Sequence, residues 1–146
     1  MDAQTLSLPI SILNLNQPCT VELGTPISEV IDLMQKGRFG CVLVVDGLER
    51  LTGIITERDL LVHIAEVRED PDAVRVDDIM TPSPESLRPT DSMAFALNLM
   101  HLGHFRHIPL LVGDSDEDEG IYPASVISSK DIANYVAAFL EGDKEG

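Results

Sequence analysis

Two stretches of the chain place a hydroxyl three residues before an aspartate, immediately after an apolar run. They are Thr56-Glu57-Arg58-Asp59 and Ser128-Ser129-Lys130-Asp131. This spacing is that of a capping box, in which a hydroxyl and a carboxylate satisfy backbone N–H groups at the start of a helix. A helix N-terminus also suits an anion, because its free N–H groups and its dipole attract phosphate. The motif therefore supports two interpretations, a cap alone or a cap that also binds a ligand.

The two motifs belong to a repeat that occupies nearly the whole chain. A shift of 66 residues aligns PISEVIDLMQKGRFGCVLVVDG with SMAFALNLMHLGHFRHIPLLVG. Beyond these segments the shift becomes 72, because the loop GDSDEDEG lengthens the second copy. We therefore predict an extension at residues 1–9, a first half at 10–70, a linker at 71–75, a second half at 76–140 and an acidic tail at 141–146.

Each half begins its repeat with a predicted helix. Apolar residues fall at helical spacing over Ile27–Met34 and again over Met93–Met100. Gly37 and Gly103 follow these segments and are predicted as their C-caps.

Strands and a closing helix complete each half. The runs CVLVV and HIPLLV predict strands buried on both faces, and LTGII and IYPASVI predict the strands that follow. The closing helices begin at Glu57 and Ser129. With a short strand at Val21–Leu23 or its counterpart, each half reads β-α-β-β-α, which is an α+β fold.

The closing helices are apolar nearly all round. Their sequences run LLVHIAEV and IANYVAAFL, and such helices in a soluble protein are buried on more than one side. One face packs on the helix's own sheet. Either the other half or a second copy in a homodimer covers the remaining face, and the pattern leaves both open.

Charge and hydropathy argue against two classes of partner and indicate where the protein is located. The chain has 146 residues and a net charge of −15, with 10 basic residues against 25 acidic ones. This balance argues against nucleic acid and anionic membranes, since both require clustered Lys and Arg. No apolar run approaches the roughly 18 residues of a membrane span, and the start lacks the basic region of a signal peptide. We expect a cytoplasmic protein.

Other chemistry has weaker support. Cys19 and Cys41 have neither zinc-site nor CxxC spacing, and Cys41 is predicted in the core. The acidic loop 114–119 lacks the EF-hand pattern, because Glu119 and Ser125 stand at its glycine and glutamate positions. We expect a solvated hairpin loop and leave weak Mg²⁺ affinity open. No catalytic motif occurs, so we do not expect an enzyme.

The repeated unit, the linker VRVDDIMTP, the segment HFRHIPLLV and the ending GIITERD together resemble a tandem pair of CBS domains, often called a Bateman module. The resemblance implies two β-α-β-β-α repeats related by pseudo-two-fold symmetry, with small mixed sheets packed with helices. It implies a free-standing regulatory module that binds AMP, ADP, ATP, S-adenosylmethionine or NAD in the cleft between the repeats. Such a module would form a homodimer and signal to a protein target. The alternative is a ligand-independent module for dimerisation or protein interaction.

The resemblance also assigns residues. In this family the aspartate of the G-x-x-T-x-x-D pattern holds ribose, the hydroxyl lies near phosphate, and apolar strand residues line the adenine pocket. Arginine or histidine before the second strand is directed at phosphate. The implied ligand-binding residues are Gly53, Ile55, Thr56, Arg58, Asp59, Ile79, Arg106, His107, Ile127, Ser128, Lys130 and Asp131.

The two halves depart from the family pattern in complementary ways. The first has Gly53 but lacks the basic segment, since Gly40 and Cys41 stand at the positions of Arg106 and His107. The second has the basic segment but carries serine in place of the glycine, and a side chain there could narrow the approach of a ligand. One ligand site or two are both compatible with the sequence.

Overall fold

The repeat helix, the two strands after it and the start of the closing helix follow the predicted order in both repeats. A computed structural model describes residues 6–113 and 122–145 of the chain, with side chains as far as residue 141. The acidic loop 114–119, the candidate cation site, lies outside the described residues. Within the described residues no helix is long and apolar enough to cross a bilayer.

The first repeat builds a four-stranded sheet. Its elements are β1 (Thr20–Glu22), α1 (Ile27–Gly37), β2 (Cys41–Val45), β3 (Leu51–Thr56), α2 (Glu57–Val62), α3 (Ile64–Glu69), α4 (Val76–Ile79) and β4 (Thr81–Pro82). The strand order is β1-β2-β3-β4, with β1 parallel to β2 and the other pairs antiparallel. All five residues of β2 are buried, as predicted for a strand covered on both faces.

The second repeat builds a smaller sheet. Its elements are α5 (Met93–Gly103), β5 (His107–Val112), β6 (Tyr122–Ser128) and α6 (Ser129–Glu145). Strands β5 and β6 pair with each other. The counterpart of β1 is reduced to a single parallel bridge between Leu87 and Leu110.

The chain divides into two compact units that are not continuous in sequence. Within the described residues, one unit contains residues 18–84 and 122–123, and the other contains residues 6–17, 85–113 and 124–145. The segment before the first repeat thus belongs to the unit of the second repeat. The repeat boundaries predicted from sequence therefore differ from the boundaries of the compact units.

Equivalent hydrogen bonds attach the segment before each repeat to the unit of the other repeat. In the unit of the second repeat, the Ile10 N–H donates to the Asp91 carbonyl at 2.8 Å. In the unit of the first repeat, the Val76 N–H donates to the Thr25 carbonyl at 2.8 Å. These residues are 66 positions apart in both cases. The predicted linker at 71–75 is therefore packed structure, and the Val74 carbonyl accepts from the Ile27 N–H at 2.8 Å.

Each unit has its own hydrophobic core. Between helix and sheet of the first repeat lie Val21, Ile27, Val30, Met34, Val42, Val44, Ile55, Val67, Val76 and Ile79. The core of the other unit contains Ile10, Leu87, Met93, Ala96, Met100, Ile108, Leu110, Ile127 and Ile132. Cys41 is buried in β2, as predicted, and burial raises the pKa of its thiol to about 12.

The glycines that end the two repeat helices have a different role from the one predicted. Gly37 is the last residue of α1, and the left-handed C-cap is Arg38, with φ 55°. A Cβ on Gly37 would overlap the ring of Phe39. Glycine is therefore required for the close approach of the ring, and the C-cap prediction was wrong by one residue. In α5 the same three roles fall to Gly103, His104 and Phe105.

The two closing helices differ in continuity. In the first repeat the helix is interrupted at His63, which separates α2 from α3, whereas α6 runs for 17 residues without a break. Leu61 and Val62 on α2 are exposed, and so are Phe139 and Leu140 on α6. The predicted homodimer stays a prediction.

Candidate functional site

Both motifs form the capping box that their spacing predicts. In the first, the Asp59 N–H donates to Thr56 Oγ1 at 3.3 Å, and the Thr56 N–H donates to Asp59 Oδ2 at 2.8 Å. In the second, the Asp131 N–H donates to Ser128 Oγ at 3.2 Å, and the Ser128 N–H donates to Asp131 Oδ2 at 2.8 Å. Strand β3 or β6 ends at the hydroxyl residue, so the strand fixes where each helix begins.

Each aspartate keeps one carboxylate oxygen outside the cap. The hydroxyl protons of Thr56 and Ser128 also go to Oδ2, at 3.1 and 2.9 Å. Oδ2 thus accepts from the backbone and from the hydroxyl, while Oδ1 of either aspartate has no hydrogen-bond partner among the described residues. Both side chains are partly exposed. A carboxylate oxygen in this position can accept hydrogen bonds from a ligand without breaking the cap.

The basic segment of the second repeat meets the second motif. The Ser129 N–H, at the first position of α6, donates to the Arg106 carbonyl at 3.0 Å. Arg106 directly precedes β5, and His107 begins it. The structure therefore places the backbone of Arg106 and His107 at the N-terminus of α6.

The first motif has the same backbone hydrogen bond, but different residues stand at the two positions. There the Glu57 N–H donates to the Gly40 carbonyl at 3.4 Å. Glycine takes the position of Arg106, and a glutamate occupies the first position of α2. The first motif thus repeats the backbone arrangement of the second, but it lacks the arginine and the uncharged residue at the first helix position.

Three candidate cations are solvent-accessible near the motifs. Arg58, Arg106 and Lys130 are exposed, and none forms an ion pair with an acid in the described part of the chain. His107 is half-buried. Arg58, Arg106 and Lys130 are thus available to an anion, although exposed Lys and Arg side chains are also common on protein surfaces.

The three candidate adenine-lining isoleucines are core residues. Ile55 and Ile127 are fully buried in the cores of their units, and Ile79 is 5% exposed in the core of the first repeat. Packing accounts for their burial. Their contact with a ligand stays a prediction.

Gly53 has a packing role that sequence reasoning missed. A Cβ at this position would overlap Met80 Sδ and lie 3.1 Å from the Thr81 carbonyl oxygen. Glycine therefore allows β4 and Met80 to pack against β3. The sequence did not indicate this contact, because Met80 is far from Gly53 along the chain.

Comparison with known proteins agrees with this architecture. The CBS domain family matches residues 13–66 and 76–138. The CBS domain-containing protein CBSCBSPB3 of Arabidopsis thaliana is 30% identical over 108 residues, which is 74% of this chain and 19% of that protein. This chain thus spans about a fifth of that relative's length.

Two solved structures share the fold over nearly their whole length. The CBS-domain containing protein ATU1752 from Agrobacterium tumefaciens has a TM-score of 0.76 and 22% identity, covering 92% of this chain and 98% of that one. The CBS domain protein PAE2072 from Pyrobaculum aerophilum, complexed with AMP, has a TM-score of 0.75 and 25% identity, covering 92% and 97%. The chain belongs to the CBS-domain family and carries two CBS domains in tandem.

Proposed function

We propose that this CBS-domain pair is a regulatory module that binds an adenine nucleotide at Ser128–Asp131 and thereby signals to a partner protein. One observation carries the proposal: Asp131 caps α6 through Oδ2 and leaves Oδ1 without a partner among the described residues. Two ribose hydroxyls can donate to such an oxygen. The AMP bound to the similar PAE2072 protein supports this ligand class.

The local charges favour the second motif over the first. Helix α6 has 17 residues and α2 has six, so the partial positive charge at the N-terminus is better developed in α6. Ser129 stands at the first position of α6, whereas Glu57 stands at the first position of α2 and repels an anion. We therefore propose one nucleotide site for each chain, in the second repeat.

The cations around Asp131 favour a ligand with phosphate. Arg106 and Lys130 are exposed and without an acidic partner in the described part of the chain. A charge-assisted hydrogen bond from arginine to phosphate is about twice as strong as a neutral one. S-adenosylmethionine carries a positive sulfonium in place of phosphate, so AMP, ADP, ATP and NAD suit the site better.

Regulation requires that the nucleotide bind one conformation of the module more tightly than another. A partner that contacts only one of these conformations would then respond to the nucleotide concentration. We place such a module in the cytoplasm, where adenine nucleotides are abundant.

Ligand class is tested by a thermal-shift panel of AMP, ADP, ATP, NAD, S-adenosylmethionine, adenosine and GMP. At 100 times its Kd a ligand stabilises the folded chain by about 2.7 kcal/mol, so binding is visible as a rise in Tm. We expect the phosphate-bearing adenosyl compounds to raise Tm and GMP to have no effect.

A pair of matched variants tests the site. Arg106→Gln should weaken AMP binding about 10-fold and leave adenosine binding unchanged, because it removes one charge-assisted contact to phosphate. Arg58→Gln, at the first motif, should change neither. A stronger effect of Arg58→Gln would assign the nucleotide to the first repeat and contradict the proposal.

The second candidate is a ligand-independent interaction module. The completed capping boxes favour it, because they give both hydroxyl–aspartate pairs a structural role without any ligand. A panel without any Tm shift, from a folded protein, would establish this alternative over nucleotide binding.

A further inference from the structure

The two repeats differ at the outer edge of their last strand. In the first repeat that edge is paired, because β4 lies antiparallel to β3 with Gly53 opposite Pro82 and Ile54 opposite Thr81. The β4 strand thus satisfies backbone groups that the edge of β3 would otherwise expose to solvent.

In the second repeat the same edge is open. A shift of 66 residues places Leu15 and Asn16 at the positions of the β4 residues, and neither is part of a strand. Within the described residues, β6 has only β5 as a sheet partner. We call residues 14–17 the strap. They belong to the same compact unit as residues 124–128 of β6.

Two residue differences between the repeats explain why the strap is unpaired. In the first repeat a Cβ on Gly53 would overlap Met80 Sδ, and the Met80 side chain packs partly into the core. The second repeat has Ser125 in place of Gly53 and Asn14 in place of Met80. Serine brings a Cβ into the space that glycine leaves empty, and burial of an asparagine amide is costly unless it is hydrogen-bonded. The strap therefore lacks both features that hold β4 on β3.

The strap nevertheless lies on the core that β6 also lines. Leu13, just before the strap, and Leu15, within it, are partly buried against the core that contains Ile127 of β6. The strap is thus anchored by side chains of its own unit, while its backbone is not paired with β6.

The open edge of β6 presents backbone groups at Val126. Across the β5–β6 pair, the Ser129 N–H donates to the Arg106 carbonyl at 3.0 Å. Residues along an antiparallel pair alternate between bonding to the partner strand and pointing away from it. Val126 is three residues before Ser129, so its N–H and C=O point away from β5. The equivalent residue of β3, Ile54, pairs with β4 through this edge.

We propose that the strap closes on β6 as a strand like β4, and that a nucleotide bound at Ser128–Asp131 competes with this closure. The repeat relation sets the register of the closed form, with Asn16 opposite Ser125. Its two states are the arrangements that the two repeats show, paired in the first and unpaired in the second. This regulation rests on the nucleotide site proposed above.

The edge and the nucleotide site are adjacent on one strand. Val126 lies two residues before Ser128, which is about 6.6 Å along an extended strand. A nucleoside held through its ribose by Asp131 is long enough to lie along this edge, where the strap would pair. Closure of the strap thus lowers the apparent nucleotide affinity, because it removes chains from the binding-competent open state.

A disulfide across the closed register tests the strap in the full chain. Asn16→Cys/Ser125→Cys, in a Cys19→Ser background, places two thiols at opposite positions, within the Cα separation of about 4–7 Å that a disulfide needs. Cys41 is buried and does not compete. Gln17→Cys/Ser125→Cys is the matched control, because its two side chains lie on opposite faces of the paired strands. The first variant should form its disulfide at least about 10-fold faster under mild oxidation. Equal rates would overturn the strap.

The same variant tests the competition with AMP. The oxidised Asn16→Cys/Ser125→Cys chain should bind AMP at least about 10-fold more weakly than the reduced chain, and reduction should restore the affinity. AMP should also slow the formation of the disulfide. Equal affinities of the oxidised and reduced chains would overturn the competition, and the reduced form of the same protein controls for any folding defect.

The two readouts separate the strap from the nucleotide site itself. Absence of AMP binding in the wild type and in the reduced variant would refute the nucleotide site and the competition with it. The rate of disulfide formation without nucleotide would still decide whether the strap closes.

A second variant tests why the strap is open. Asn14→Met/Ser125→Gly restores the two residues that hold β4 in the first repeat. It should slow hydrogen exchange of the Val126 N–H at least about 10-fold, because a closed strap pairs with this group. It should also weaken AMP binding. Unchanged exchange at Val126 would contradict the role of these two residues in holding the strap open.

Discussion

The attachment of the N-terminal segment to the second repeat can be tested at Ile10. This side chain is fully buried among Met93, Ile127 and other residues of the second-repeat core. Replacing it with alanine removes three buried carbons, worth about 2.4 kcal/mol at 0.8 kcal/mol each. The cavity left behind brings the expected loss in the free energy of unfolding to about 3–4 kcal/mol.

The control lies two residues away in the same short 3₁₀ helix, Ile10–Ile12. Ile12 is 47% exposed, so Ile12→Ala should change the free energy of unfolding by no more than about 0.5 kcal/mol. Urea unfolding followed by far-UV circular dichroism and by tyrosine fluorescence measures both. Tyr135 packs against the same core as Ile10, and a Tyr122→Phe background removes the other tyrosine, so that the fluorescence reports on that unit.

A double-mutant comparison identifies the unit that Ile10 stabilises. Ile10→Ala and Met93→Ala alter one core, so their effects should deviate from additivity by at least about 0.5 kcal/mol. Ile10→Ala and Ile27→Ala alter different cores and should add. A loss below about 1 kcal/mol for Ile10→Ala, or coupling to Ile27 alone, would refute the assignment of the N-terminal segment.

Three further predictions follow from single contacts. Gly103→Ala should destabilise the chain by about 1–3 kcal/mol, because the new Cβ overlaps the ring of Phe105. The loss should shrink in a Phe105→Ala background. Gly47→Ala is the control, because a Cβ at Gly47 meets open space. Without nucleotide, Ser128→Ala should lower the free energy of unfolding by about 1 kcal/mol through loss of the α6 cap, and an unchanged urea midpoint would argue against the cap. Burial raises the pKa of the Cys41 thiol from 9.0 to about 12, so the unfolded chain loses this proton at lower pH than the folded chain. The free energy of unfolding should therefore fall as the pH rises from about 9 to 12, and Cys41→Ala should remove that part of the decline.

Local patterns predicted the parts of the fold that depend on neighbouring residues. The capping boxes at Thr56 and Ser128 involve contacts three residues apart, so spacing alone identified them. The buried strands β2 and β5 followed from apolar runs of strand length. The 66-residue repeat then implied the same architecture twice.

Contacts between segments that are far apart in the chain could not be predicted from local patterns. The sequence does not reveal that Ile10 enters the core of the second repeat, or that Met80 covers Gly53, because no local pattern encodes a partner so far along the chain. The glycine at the end of α1 suggested a C-cap, yet its missing side chain makes room for Phe39. The break at His63 was not predicted either, because no glycine or proline marks it in the sequence.

The candidate site likewise has features that the sequence predicts and one that it does not. The aspartates, their hydroxyl partners and the proximity of Arg106 to α6 could be predicted from motif and resemblance. The free Oδ1 of Asp131 could not, because only the structure separates the oxygen used in the cap from the one that is left.

Calorimetric titration of AMP into the chain tests the central claim most directly. Asp131→Asn preserves an oxygen for the cap but turns an NH₂ group towards the ligand, and Asp59→Asn makes the same change at the first motif. We predict one AMP for each wild-type chain, binding at least about 10-fold weaker in Asp131→Asn, and unchanged binding in Asp59→Asn. Two AMP for each chain, equal weakening by the two variants, or no heat from the wild type would contradict a single nucleotide site in the second repeat.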